Sequence, residues 1–107
     1  MKNDYFIENI FSKFIEITGD DASNFLQGLV TNDINKCSET NTVYACLLTP
    51  QGKFLADFFI SKIKKKYLIE IHNKYYYQFL NKLKLYKLIS NVQFEQIDDL
   101  TMKNYER

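Results

Sequence analysis

The sequence predicts an α+β domain: a two-layer, ferredoxin-like sandwich in which a mainly antiparallel sheet carries two helices on one face. Three observations lead there. Five short segments alternate apolar and polar residues with strand periodicity, and two longer segments repeat apolar residues at helical spacing. Their order is strand, helix, strand, strand, an extra strand, helix, strand.

Residues 1–12 carry Tyr5, Phe6, Ile7, Ile10 and Phe11, a short amphipathic lead-in compatible with strand or helix. Residues 13–18 (KFIEIT) are β-branched and aromatic, and Gly19 ends them. Asp20 and Asp21 suit the start of a helix over about 20–30, whose apolar side is Ala22, Phe25, Leu26 and Leu29. Thr31-Asn32-Asp33 reads as the polar turn that stops it, because such side chains bond nearby backbone. Residues 35–42 form a surface loop.

Two apolar runs between 44 and 60 are joined by Thr49-Pro50-Gln51-Gly52, where Pro50 pre-sets one turn dihedral and Gly52 supplies the permissive one. A hairpin follows. On its second strand Phe54, Ala56, Phe58 and Ile60 are expected on one face and Leu55, Asp57, Phe59 and Ser61 on the other. Lys62, Lys64, Lys65 and Lys66 precede the alternating run 67–71 and suit a solvated turn, with a phosphate-binding patch as the alternative. Asn73 is the expected N-cap of a second helix over about 74–88, with Tyr76, Phe79, Leu80 and Leu83 on its apolar side. Tyr75, Tyr76 and Tyr77 point in different directions on such a helix, which argues against a base-stacking platform. Residues 92–97 make the last strand, and a polar tail follows.

The chain of 107 residues fits one domain, 1–107. Fourteen basic and thirteen acidic residues leave a net charge of +1, which gives no general attraction to polyanions and argues against a nucleic-acid binder. Lysine dominates arginine thirteen to one, a bias in keeping with an AT-rich genome. Cys37 and Cys46 lack metal-ligand spacing and accompany a single histidine, so neither a metal site nor a disulfide scaffold is expected. No signal peptide or membrane-length apolar run stands out, and a reducing, cytoplasmic setting is expected.

Asp57 is the residue that asks for a chemical account. A carboxylate among apolar strand neighbours is costly unless paired, hydrogen-bonded or protonated, and such carboxylates are enriched at functional sites. A strand-end Asp that reaches water or a backbone amide gives the same pattern, so both readings stay open.

Three blocks then matter together: FLQGLVTNDI at 25–34, LLTPQGKFLADF at 47–58 and LKLYKL at 83–88. In this order they resemble the N-terminal folate-binding domain of the YgfZ and glycine-cleavage T-protein superfamily, over about 13–97. Ala56 before Asp57, where the T-protein pattern tends to have a second acid, makes the chain look more like the YgfZ branch.

The resemblance implies a tetrahydrofolate-binding scaffold with a role in iron–sulfur cluster assembly and tRNA modification. The alternative it implies is a subunit or fragment of an aminomethyltransferase. By motif matching, Asp57 falls on the pocket carboxylate, which in the transferase also assists catalysis at the folate nitrogen. Tyr44 falls on a tyrosine bordering the pocket, Thr31, Asn32 and Asp33 on a polar turn near it, and His72 on a less typical position at its edge. Family members are several times longer, and the Lys-Gly-Cys-Tyr-x-Gly-Gln-Glu signature of the YgfZ branch does not occur here. The chain is therefore expected to be the first part of such a protein, inactive alone, with apolar surface that drives self-association or binds a protein partner. A small RNA-binding module is a further reading, since a ferredoxin-like sheet with exposed aromatics can stack bases.

Overall fold

Five antiparallel strands hydrogen-bond in the order β2-β3-β4-β1-β5. The computed structural model describes residues 12–97; the lead-in at 1–11 and the tail from Asp98 lie outside the described residues. The elements are β1 (Ser12–Thr18), α1 (Ala22–Gln27), a single 3₁₀ turn (Ile34–Lys36), β2 (Val43–Leu48), β3 (Phe54–Ile63), β4 (Lys66–His72), α2 (Asn73–Lys87) and β5 (Gln93–Ile97). The strands β3-β4-β1-β5 have the ferredoxin-like arrangement, and β2 adds the extra strand at one edge.

Strand alternation separates the two faces of the sheet. Ile15, Ile17, Ala45, Leu47, Ala56, Phe58, Ile60, Ile69 and Ile71 point to the helix side, where they join Ala22, Phe25 and Leu26 of α1 and Tyr76, Phe79 and Leu83 of α2 in one buried cluster. Phe58 and Phe79 centre it, with ring centroids 4.7 Å apart. On the other face Phe14, Leu68 and Ile97 form a second, smaller cluster, and Glu16 is buried beside it with Lys66 at 3.6 Å.

Several boundaries depart from the sequence reading for local reasons. The first helix is shorter than expected: after the C-cap Gly28 the N–H groups of Leu29 and Val30 both turn back to the Leu26 carbonyl, and Asp21 at its N-cap makes no side-chain cap bond. Its carboxylate instead accepts from the Asn91 N–H at 2.7 Å, and its own N–H donates to the Asn91 carbonyl, which ties the start of α1 to the approach to β5. Asn73 is the first helical residue rather than the cap; His72 holds that place, its Nδ1 accepting from the Lys74 N–H at 3.0 Å.

The hairpin turn closes as expected, with the Gly52 N–H on the Thr49 carbonyl and Gly52 at φ +87°. Phe54, however, does not join Ala56 and Phe58 in the core. A bulge sets Leu47 opposite Ala56 but Leu48 opposite Phe54, which inserts Leu55 as an extra residue and turns Phe54 outward onto Tyr75, edge to face at 5.7 Å. The lysine cluster is split: Lys62 and Lys66 lie in strands, Lys62 over the Tyr67 ring, and Lys64 and Lys65 make the turn.

Candidate functional site

Asp57 and Tyr44 meet on the sheet face turned away from the helices. Cys46 pairs directly with Asp57 across β2 and β3, and Tyr44 pairs with Phe59, so the four side chains share one patch. The Tyr44 hydroxyl donates to Asp57 Oδ2 at 2.7 Å, and the Cys46 thiol reaches the same hydroxyl at 3.8 Å. The Tyr44 and Phe59 rings are tilted against each other at 5.5 Å, and each is about half exposed (49% and 48%).

The hydrogen bond to Asp57 pushes the Tyr44 phenol well above the ordinary tyrosine range, with a lesser contribution from Cys46. The phenol is therefore a donor at any physiological pH. Among the described residues Tyr44 is the hydrogen-bond partner of the carboxylate, which leaves Asp57 acceptor capacity directed at the open face.

The polar turn works one layer behind this patch. The Thr31 N–H donates to the Cys46 carbonyl, and Thr31 Oγ1 accepts from the Cys46 N–H at 3.0 Å. Asn32 Nδ2 donates to the Tyr44 carbonyl at 2.9 Å. These bonds satisfy the outer edge of β2 and fix the backbone from which Tyr44 and Cys46 project. Asp33 faces away from them, and its Oδ1 accepts from the Asn35 N–H to cap the 3₁₀ turn.

A residue the sequence reading gave no role completes the arrangement. Gln27 donates from Nε2 to the Asn32 carbonyl at 2.9 Å and accepts at Oε1 from the Ile34 N–H at 2.8 Å, clamping the turn from both sides. Its only sequence signal was membership of the first block.

His72 ends β4 one residue after Ile71, which pairs with Phe58, so it lies at the same end of the sheet as Asp57. Its imidazole is engaged as the cap of α2 and stacks edge to face on Tyr75. The structure thus gathers Tyr44 and Asp57 with Cys46 and Phe59, supports them with Thr31 and Asn32, and sends Asp33 and His72 to helix starts.

The model of the GCVT N-terminal domain matches residues 8–103. The chain belongs to the GCVT N-terminal domain family. It is 32% identical over 100 residues to an iron–sulfur cluster assembly factor, the mitochondrial IBA57 homolog of Coccidioides immitis, covering 79% of this chain and 24% of that protein. An aminomethyltransferase of Alkaliphilus oremlandii is 36% identical over 59 residues, 55% of this chain and 16% of the other. This GCVT N-terminal domain spans about a quarter or less of the length of these relatives. Its fold matches the crystal structure of the glycine cleavage system aminomethyltransferase T from Bartonella henselae with a TM-score of 0.74 over 81% of this chain and 24% of that one, at 16% identity. The match carries the α+β architecture, with its five-stranded sheet and two helices. No helix among the described residues is long and apolar enough to cross a membrane.

Proposed function

We propose that this chain is a folate-binding domain that serves iron–sulfur cluster assembly and the tRNA modification that depends on it, without turnover of its own. The observation that carries this reading is the Tyr44–Asp57 pair on an open sheet face beside Phe59. A reduced pterin is a flat group with a hydrogen-bond donor edge, and the residues present fit it. Asp57 has acceptor capacity to take N–H donors, Tyr44 holds the carboxylate in place, and the half-exposed Phe59 ring offers a surface for stacking. When bound, tetrahydrofolate would supply a nitrogen that carries a one-carbon unit. Thr31 and Asn32 act here through the backbone of Cys46 and Tyr44 rather than by touching the ligand.

Calorimetric titration of the purified chain with 5-formyltetrahydrofolate tests this. Saturable heat is expected, and Asp57→Asn should weaken binding by about 1–3 kcal/mol, roughly fivefold to a hundredfold, the scale of a lost charge-assisted bond. Affinity unchanged in the variant would remove Asp57 from the site. In cells, loss of the chain should lower iron–sulfur enzyme activity and the dependent tRNA modifications, and cell fractionation decides between the cytoplasm and the mitochondrial setting of its IBA57-type relatives.

The identity to an aminomethyltransferase favours a second reading, a transferase subunit in which Asp57 assists reaction at the folate nitrogen. Folate-dependent aminomethyl transfer in a mixture with a candidate partner chain would support it. No turnover in any such mixture leaves the binding role.

A further inference from the structure

The end of β2, the hairpin turn, α1 and α2 enclose an open cleft of about 410 Å³ that shares no residue with the Tyr44–Asp57 patch. Phe25, Leu29, Leu47, Leu48, Pro50 and Tyr86 supply its apolar walls, and among the described residues no charged one lines it. Such a volume admits one or two side chains of leucine or phenylalanine size, within the range of ordinary ligand sites.

Two lysines flank these walls. Lys82 Nζ lies 5.8 Å from the centre of the Tyr86 ring, and Lys87 Nζ lies 5.8 Å from that of Phe94, which packs on Phe25 at 5.7 Å. From residue 73 to 94 the chain has four lysines, Lys74, Lys82, Lys84 and Lys87, and no acid. Among the described residues Lys82, Lys84 and Lys87 have no carboxylate partner. Next to Tyr86 in the chain, Leu85, Leu88 and Ile89 are exposed, Ile89 fully. In a chain of net charge +1 this places three lysines on the last two turns of α2, next to the Tyr86 wall, while the carboxylates of Asp20 and Asp21 are held at Asn91.

We propose that this cleft docks an acidic amphipathic helix of a protein partner, which inserts apolar side chains between Leu48 and Tyr86 and sets carboxylates against Lys82 and Lys87. Charge complementarity selects the partner's sign, and concavity selects its form. A bilayer would meet Leu88 and Ile89 but leave the cleft unfilled. Single-stranded RNA would find one exposed ring, Tyr86, where stacking needs several, and a net charge of +1 gives no general attraction to a polyanion. The site is separate from the Tyr44–Asp57 patch and does not depend on folate binding.

The test is fluorescence anisotropy of a labelled synthetic helix with leucines at i, i+3, i+4 and i+7 and glutamates elsewhere, titrated with the purified chain. Saturable binding is expected that weakens with salt, falls at least tenfold in Lys82→Glu/Lys87→Glu and in Leu48→Ser, and is absent for the same peptide with lysine in place of glutamate. Circular dichroism checks that each variant is folded, and Leu48→Ser probes the wall that does not depend on α2. No saturable binding, equal binding of the lysine peptide, or affinity unchanged in both variants would overturn the proposal. So would either rival occupant: co-sedimentation with phosphatidylglycerol-containing vesicles, or concentration-dependent dimerisation, abolished by these same substitutions while peptide binding is not.

Discussion

Tyr44 and Asp57 show how a side chain acquires a property from its cross-strand neighbour. A phenol that donates to a carboxylate resists ionisation, because the phenolate would face a like charge and lose the bond. Its proton affinity is thus higher in the folded chain than in the unfolded one, where tyrosine ionises near about pH 10. By linkage, the stabilising contribution is complete below that pH and is lost as the pH rises above it, when the unfolded chain releases the proton and the folded chain retains it. An ultraviolet titration should show Tyr44 ionising above the ordinary tyrosine range, beside Tyr76, which burial also raises, and Asp57→Asn should bring Tyr44 alone back towards that range. A titration identical in the two proteins would mean that the pair does not persist in solution.

At the scale of elements, two joints set the frame on which the site rests. Gly19 leaves β1 at φ +118°, and a Cβ there would lie 2.2 Å from the Asn91 carbonyl oxygen. Strain and backbone overlap act together, so Gly19→Ala should cost about 2 kcal/mol or more in denaturant unfolding. The second joint is the Gln27 clamp on the 32–34 turn. Gln27→Ala removes two hydrogen bonds and should cost about 1–2 kcal/mol. Because the turn holds the Tyr44 backbone, the same variant should also weaken 5-formyltetrahydrofolate binding, whereas Gly19→Ala should lower stability with little change in affinity. Equal losses of affinity in both would remove the clamp as a positioning device.

For the molecule as a whole, α2 seals the helix side of the sheet chiefly through Tyr76, Phe79 and Leu83. Phe79 is fully buried against Phe58, and Phe79→Ala should cost about 3–5 kcal/mol, a large share of the roughly 5–15 kcal/mol that holds a domain of this size. Thermal unfolding monitored by circular dichroism reads this directly; a shift comparable to that of an exposed control such as Tyr77→Ala would contradict this account of the core. The sequence by itself determined the kinds of element, their order and the proline-glycine hairpin, because periodicity, turn chemistry and glycine are properties of neighbouring residues. It also singled out Asp57 as a charge in apolar company and carried the three blocks that mark the family. Tertiary structure alone decided that Tyr44 donates to Asp57, that the bulge turns Phe54 out of the core, that Gln27 clamps the polar turn, and that His72 and Asp33 cap helices. Each of those outcomes depends on strand register or on contacts formed only once the chain has folded, and side-chain alternation along a single strand contains no information about which partner will lie across from it.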